Sequence, residues 1–217
     1  MMLAKIRRWR MKTLKPFANS SSDTALKLSL GDRNEDVARA LATAFADVPM
    51  VEVVSGNLLD VGSEAILSPA NSFGDMGGGI DKAIDDFHQG AAQRAVRSAI
   101  ADRFCGELPV GMALIVEVPG PRLPFIVAAP TMRIPGRLGD SVNAYLSMRA
   151  ALVAVARHNL VSQRPIRHLA VPGLCTGVGG MAAAESAGQM RTAYDSIVGE
   201  GWRRVVHPAM APYAMRG

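Results

Sequence analysis

The sequence predicts an α/β protein in which helices cover both faces of a mixed, mostly parallel sheet. Short apolar runs of strand type alternate with amphipathic helix patterns along most of the 217 residues. Two glycine-rich loops, at residues 69–81 and 172–180, each follow an apolar run and precede a helix pattern. In open α/β sheets, ligands bind outside the carboxyl ends of the strands. We therefore expect a three-layer α/β/α sandwich with a ligand site at these two loops.

The first predicted elements form a β-α-β unit. Residues 26–30 alternate in polarity, which is typical of a strand. A helix follows with Asp32 or Asn34 as its cap, because short polar side chains accept hydrogen bonds from the free amides of a first turn. Strands are predicted next at residues 50–55 and 65–67.

The rest of the chain continues the alternation. Apolar residues at helical spacing predict helices around residues 80–87, 91–104, 145–155 and 187–197. Continuous apolar runs predict central strands at residues 113–118 and 125–129, a strand at 168–171 and a short last strand at 204–206. Proline and glycine make residues 131–141 a loop. No internal repeat and no second domain are evident, so residues 25–217 are predicted to be a single domain.

The positive charge lies almost entirely at the amino terminus. Six basic residues precede Asp23, the first acidic one, and without them the formal charge falls from +5 to −1. The remaining chain therefore gives no reason to expect broad nucleic-acid binding. We interpret residues 1–24 as a basic flexible extension. A nucleic-acid or membrane-surface arm, a transit-like segment and a true start at Met11 remain open.

Composition excludes several other classes of site. The two cysteines, Cys105 and Cys175, lie far apart and fit a reducing compartment, so a cytoplasmic location is expected. The four histidines have no metal-ligand spacing, and neither a metal nor a cofactor is predicted. No apolar stretch is long enough for a membrane span. The P-loop, dinucleotide-fold and nucleophile-elbow motifs are all absent.

The two glycine loops are suited to bind phosphate through the backbone. Glycine lets amide groups approach an anion closely, and neither loop contains Lys or Arg before Lys82. Two such loops fit a diphosphate better than a single phosphate. Cys175 lies in the second loop, where a thiolate could be stabilised. A structural role is the favoured interpretation, because no histidine is placed near it by sequence.

Four segments in the same order resemble the signatures of macrodomains, a family of α/β/α proteins that bind ADP-ribose. The segments are residues 56–59, 66–72, 77–81 and 172–180. Some members of that family hydrolyse ADP-ribose from proteins or small molecules. The resemblance implies a macrodomain with an additional N-terminal β-α unit at residues 26–46. Whether that unit forms an edge of the sheet or an interface is left open.

The resemblance also implies roles for individual residues. Asn71 would contact the distal ribose and support catalysis, and Asp81 would be the catalytic aspartate of hydrolytic members. The adenine would lie near Asn57 and the backbone of Leu58. The diphosphate would be enclosed by Gly77, Gly78, Gly79, Ile80, Cys175, Thr176, Gly177, Val178, Gly179 and Gly180.

Four positions depart from the family pattern. Asn57 replaces the aspartate that accepts a hydrogen bond from adenine, although an amide oxygen can still accept it. Ser68 replaces an asparagine, Gly179 an aromatic residue that covers the distal ribose, and Asp85 a histidine. At a helix N-terminus the dipole is expected to hold Asp81 ionised.

Three functions remain as alternatives. The leading hypothesis is a hydrolase of ADP-ribosyl esters on proteins or metabolites, in which Asp81 orients or deprotonates a water molecule. The second is a non-catalytic protein that binds ADP-ribose or a related nucleotide, which the changes at Asp85 and Gly179 favour. The third is a nucleic-acid-interaction module led by the basic extension. For single residues, Asn71 could merely close a turn and Asp81 could merely cap a helix.

Overall fold

Six strands form one sheet in a computed structural model of the protein, which describes residues 25–120, 122–205 and 207–210. The strands are β1 (Lys27–Asp32), β2 (Val51–Ser55), β3 (Ala65–Ser68), β4 (Leu114–Glu117), β5 (Phe125–Ala128) and β6 (His168–Pro172). Their order across the sheet is β2-β1-β6-β3-β5-β4. All neighbouring strands are parallel except β4, which is antiparallel to β5. The predicted mixed, mostly parallel sheet is confirmed.

Within the described residues, five α-helices and three 3-10 helices connect or follow these strands. The α-helices are α1 (Glu35–Ala44), α2 (Gly79–Phe87), α3 (Ala91–Phe104), α4 (Asn143–Val161) and α5 (Ala183–Ile197). The 3-10 helices cover Leu58–Asp60, Gly201–Arg204 and Pro208–Met210. The predicted helices are all found, and residues 131–141 form a loop as expected.

The helices lie in two layers on opposite faces of the sheet. Neighbouring residues of β3 point to opposite faces, and Leu67 packs in one core with Leu152 of α4 and Met190 of α5. Ile66 packs in the other core with Val96 of α3. Complete burial of each such side chain stabilises the folded protein by roughly 1.5–3 kcal/mol. Both faces of the sheet are therefore covered, which is the three-layer α/β/α arrangement that the sequence predicts.

The amino-terminal β-α unit contributes an interior strand. β1 lies between β2 and β6, and Leu30 is opposite both Val53 and Val171. Asn34 caps α1, with its side-chain oxygen accepting a hydrogen bond from the Asp36 amide at 2.9 Å. The edge on this side of the sheet is instead β2, where Glu52 pairs with Lys27 of β1 at 2.7 Å.

Two strand predictions are wrong in part. β4 is an edge strand rather than a central one, and its apolar character arises because Leu114 and Ile115 pack into the two different cores. Arg204 ends a 3-10 helix that begins after Glu200, a residue with a positive φ of 54°, so no strand begins there. Val206 and the predicted extension at residues 1–24 lie outside the described residues.

Candidate functional site

A cavity of about 500 Å³ opens at the carboxyl edge of the sheet. Its wall includes residues that directly follow β1, β2, β3 and β6, together with the amino-terminal turn of α2. This position is the usual ligand crevice of an open α/β sheet, and the volume is within the range of small-molecule sites.

The cavity brings together nearly all the predicted site residues. Gly180 is the exception, because it does not line the cavity and lies against the side chain of Arg137. The predicted residues that line the cavity are Asn57, Leu58, Asn71, Gly77, Gly78, Gly79, Ile80, Asp81, Cys175, Thr176, Gly177, Val178 and Gly179.

The two glycine loops present open backbone to the cavity. A Cβ atom built on Gly78 or Gly177 meets no atom within 4 Å, so the space beside both α-carbons is empty. Gly79 has a φ of +55°, which a residue with a side chain rarely adopts. α2 begins at this residue, and its first turn, whose amides have no partner within the helix, forms part of the cavity wall. The pair of loops therefore has the geometry of an anion site without a cationic side chain of its own.

Asp81 is buried at the inner end of the cavity. Its Oδ1 accepts a hydrogen bond from the Ser68 hydroxyl at 2.6 Å, and both residues are nearly inaccessible to solvent. Burial raises the pKa of Asp81 to about 7, against the lowering effect of hydrogen bonds from Ser68 and the Ala70 backbone; nearby Asp75 raises it further. The expectation that the helix dipole holds this carboxyl firmly ionised is therefore wrong, since desolvation outweighs it.

Asn71 lies at the turn that follows β3. Its side-chain oxygen accepts hydrogen bonds from the Phe73 amide at 3.0 Å and from the Asp75 amide at 3.3 Å. Among the described residues, its Nδ2 group has no hydrogen-bond partner and is left to donate. The turn-closing role and a ligand-binding role are thus compatible, because they use different atoms of the carboxamide.

Asn57 is at the other end of the cavity and is already engaged. Its Oδ1 accepts from the Leu59 amide at 3.3 Å, which caps the short 3-10 helix, and its Nδ2 donates to Asp60 at 2.8 Å. Leu58 is buried beside it. One N–H of Nδ2 and the second lone pair of the oxygen are therefore left for a ligand.

The second loop is closed by residues of the 131–141 loop. A Cβ atom on Gly179 would lie 2.5 Å from the Cys175 carbonyl oxygen and 3.1 Å from Leu138 Cδ1, so no larger residue fits without rearrangement. The Leu138 amide also donates to the Gly179 carbonyl at 2.8 Å. Leu138 thus packs beside the position of the missing aromatic side chain.

Cys175 has a structural environment. It is 5% exposed, and burial raises the pKa of its thiol to about 12, against a weaker lowering effect from a hydrogen bond with Thr131. A thiol with that pKa is not a nucleophile at neutral pH. Its main-chain φ of +63° instead forms part of the bend of the second loop.

Sequence reasoning missed one wall of the cavity. The carboxyl end of β1 and the first residues after it line the cavity, namely Gly31, Asp32, Arg33 and Asn34, together with Val37 of α1. The available signal was their position at the end of an apolar strand, but the interior place of that strand depends on pairing with distant β6. Thr131, Met132 and Pro135 also line the cavity from the predicted loop.

Neither a membrane-spanning helix nor a metal site is found in the described part of the chain. No helix there combines the length and apolar composition required to cross a membrane. No group of three or more His, Cys, Asp or Glu side chains there is arranged to hold a metal ion.

The fold and the site define a macrodomain. The Macro domain family model matches residues 67–190, more than half of the chain, and the chain therefore belongs to the macrodomain family. An uncharacterised protein of Aeropyrum pernix is 34% identical over 170 residues, which cover 77% of this chain and 82% of that protein. One from Aquifex aeolicus is 30% identical over 140 residues, covering 64% of this chain and 78% of that protein.

Solved structures show the same fold. The macrodomain of Mycobacterium tuberculosis DarG superposes with a TM-score of 0.55 at 22% identity, over 66% of this chain and 88% of its own. A variant of the Oceanobacillus iheyensis macrodomain with ADPR superposes with a TM-score of 0.54 at 22% identity, over 67% and 76% of the two chains. At this identity the likeness concerns the fold.

Proposed function

We propose that the cavity binds ADP-ribose and that the protein hydrolyses ADP-ribosyl esters, on proteins or on small molecules such as O-acyl-ADP-ribose. The observation that carries this proposal is the meeting of two open glycine loops with a buried carboxyl in one cavity. A macrodomain of the same fold has been solved with ADPR, which supports the choice of ligand. Far-apart free cysteines support a cytoplasmic site of action.

The diphosphate is expected to lie between the two glycine loops. Open space beside Gly78 and Gly177 leaves room for the phosphate oxygens, and the first amides of α2 supply donors and a positive dipole end. The distal ribose then faces Asn71 and Asp81, whereas the adenosine faces the end of the cavity that contains Asn57 and Leu58.

Asp81 is the proposed general base. Its pKa of about 7 is close to working pH, where a carboxylate accepts a proton more readily than one of ordinary pKa. A water oxygen would form a bond to the anomeric carbon of the distal ribose as the bond from that carbon to the acyl oxygen breaks. The acyl group leaves as a carboxylate, and the water proton passes to Asp81. Asn71 would hold the ribose hydroxyls through its free Nδ2.

A second candidate is a binding protein without hydrolytic activity. The observation that favours it is the second loop, where Gly179 provides no side chain to cover the distal ribose and cannot accept one without rearrangement. The same cavity would then recognise ADP-ribose groups on modified proteins, and Asp81 would serve to position the ligand.

Single-turnover release of ADP-ribose from a glutamate-linked mono-ADP-ribosyl peptide separates the two functions. Asp81→Asn should lower the rate by about 10²–10⁴-fold, since it removes the base but keeps an acceptor for Ser68. Its affinity for ADP-ribose, measured by calorimetry, should change by less than about tenfold.

Asp86→Asn is the matched control, because Asp86 lies on the same helix and forms an exposed ion pair with Lys82. It should leave both measurements unchanged. Tight binding by the unaltered protein without release above background would contradict the hydrolase and support the binding protein. Absence of binding would contradict both.

A further inference from the structure

The carboxyl end of β1 places a carboxylate in the cavity that belongs to neither glycine loop. Asp32, the last residue of β1, is half-buried and lines the cavity beside Gly31, Arg33 and Asn34. Because β1 is an interior strand, Asp32 stands between the residues that follow β2 and those that follow β6.

Three contacts fix the position of Asp32. Its carbonyl oxygen accepts a hydrogen bond from the Gly56 amide at 3.1 Å, and its Oδ1 accepts one from the Asn34 amide at 2.9 Å. Its Oδ2 lies 2.8 Å from the point where a Cβ atom on Gly173 would stand, so the absence of a side chain at Gly173 admits it. Contacts with the backbone therefore hold the carboxylate in place.

Only one oxygen of this carboxylate is in use. Within the described residues, Oδ1 has the Asn34 amide as its partner and Oδ2 has none. A carboxylate oxygen can only accept, so a ligand group placed against Oδ2 must donate. A phosphate there would be repelled, so the diphosphate is expected beside Gly78 and Gly177 rather than against Asp32.

The surroundings of Asp32 fit a nucleobase. Val37 and Leu58, both buried, line the same end of the cavity and supply apolar surface. Asn57, at the position where the family pattern has aspartate, uses its Nδ2 on Asp60 and one lone pair of Oδ1 on Leu59. Asp32 is thus the carboxylate at this end with an unpartnered oxygen.

We propose that Asp32 determines base specificity, with its Oδ2 accepting a hydrogen bond from the exocyclic amino group of adenine. This inference rests on the proposed binding of ADP-ribose in the cavity. It makes the amino-terminal β-α unit part of the site and assigns to Asp32 a task that the family pattern gives to the position of Asn57.

The test compares ADP-ribose with its inosine analogue, in which a carbonyl oxygen replaces the exocyclic amino group. The full-length protein should bind ADP-ribose about tenfold or more tightly than the analogue, since two acceptors would otherwise face each other. In Asp32→Asn, the side-chain oxygen should keep accepting the hydrogen bond from the Asn34 amide. The NH₂ group then occupies the position of Oδ2. A donor there suits the carbonyl of the analogue, so the preference should disappear or reverse.

Glu35→Gln is the matched control, because it removes the same charge from the first turn of α1 and does not line the cavity. Its preference should equal that of the unaltered protein. An equal loss of affinity for both ligands in Asp32→Asn would show that Asp32 contacts a shared part such as the ribose, and would overturn the assignment. An unchanged preference would overturn it as well. If the unaltered protein bound neither ligand, the proposed function itself would fail.

Discussion

At the scale of single residues, the pair formed by Ser68 and Asp81 is the part of the cavity on which the proposed hydrolysis depends. Desolvation raises the pKa of the Asp81 carboxyl and the hydrogen bond from Ser68 lowers it, with a balance of about 7. A group titrating there changes its charge in the range where the protein works. The residue at position 68, where this chain departs from the family pattern, therefore affects the pKa of the Asp81 carboxyl directly.

We predict that ester hydrolysis rises with pH through about 7, because the proposed base acts in its ionised form and its pKa lies there. Ser68→Ala removes a hydrogen bond that favours the ionised form, so the pKa should rise and the rate profile should move to higher pH. The measurement is the single-turnover rate from pH 5 to pH 9, limited to conditions in which the ester is stable.

Ser147→Ala is the control for a general packing effect. Ser147 is also fully buried, and its hydroxyl donates to the Ala129 carbonyl at 2.6 Å in a different part of the fold. It should leave the pH at half-maximal rate unchanged. A profile that stays in place in Ser68→Ala would mean that Asp81 is not the titrating group.

At the scale of elements, the glycine loops present backbone that β3 and β6 bring to one edge of the sheet, and the proposed ligand would bind to that backbone. The motif at residues 77–79 and the motif at residues 173–179 lie about 95 residues apart in the chain, yet both contribute to one cavity because β3 and β6 are parallel neighbours. The loops contribute open space and backbone amides rather than side-chain contacts. A side chain introduced into that space should therefore weaken ligand binding more than the removal of a single side-chain contact would.

We predict that Gly177→Glu abolishes ADP-ribose binding. The Cβ position at Gly177 is open, so the protein should fold, but a carboxylate would then point into the space proposed for the diphosphate. Gly188→Glu is the control: its Cβ position is also open, but it lies on the exposed side of α5. Calorimetry should show normal affinity for the control. Normal affinity in a folded Gly177→Glu protein would place the phosphates elsewhere.

Some features of these elements could be predicted from the sequence, and others could not. Helix and strand patterns are local, and so the five α-helices, the α/β/α layers and the two glycine loops could be predicted. Pairing between strands is not local. The interior position of β1, the edge position of β4 and the presence of Asp32 in the cavity depend on which strands meet, and no short segment encodes that. Burial of Asp81 was missed for the same reason, since its pKa depends on the whole fold around it.

At the scale of the whole molecule, we propose that residues 25–217 form one macrodomain whose amino-terminal β-α unit is integral to it. β1 pairs on one side with β2 and on the other with β6, and α1 packs in the same core as α4 and α5. The described residues that line the cavity lie between Gly31 and Gly179. The basic residues that precede Asp23 are all outside that span.

We predict that removal of residues 1–22 leaves ADP-ribose affinity nearly unchanged in calorimetry. Removal of residues 1–46 should instead prevent folding, because it deletes an interior strand and exposes the core beside β6. Circular dichroism and thermal melting distinguish the two proteins. A large loss of affinity in the shorter deletion would mean that the extension reaches the ligand.

The place of β1 in the sheet also sets the order of events during synthesis. Ser29 and His168 share a hydrogen bond although they are 139 residues apart, so β1 cannot complete its pairing until β6 has left the ribosome. Until then one side of β1 is an unpaired edge with apolar residues. That edge stays open while residues 33–167 are synthesised, and the sheet is completed only when β6 emerges.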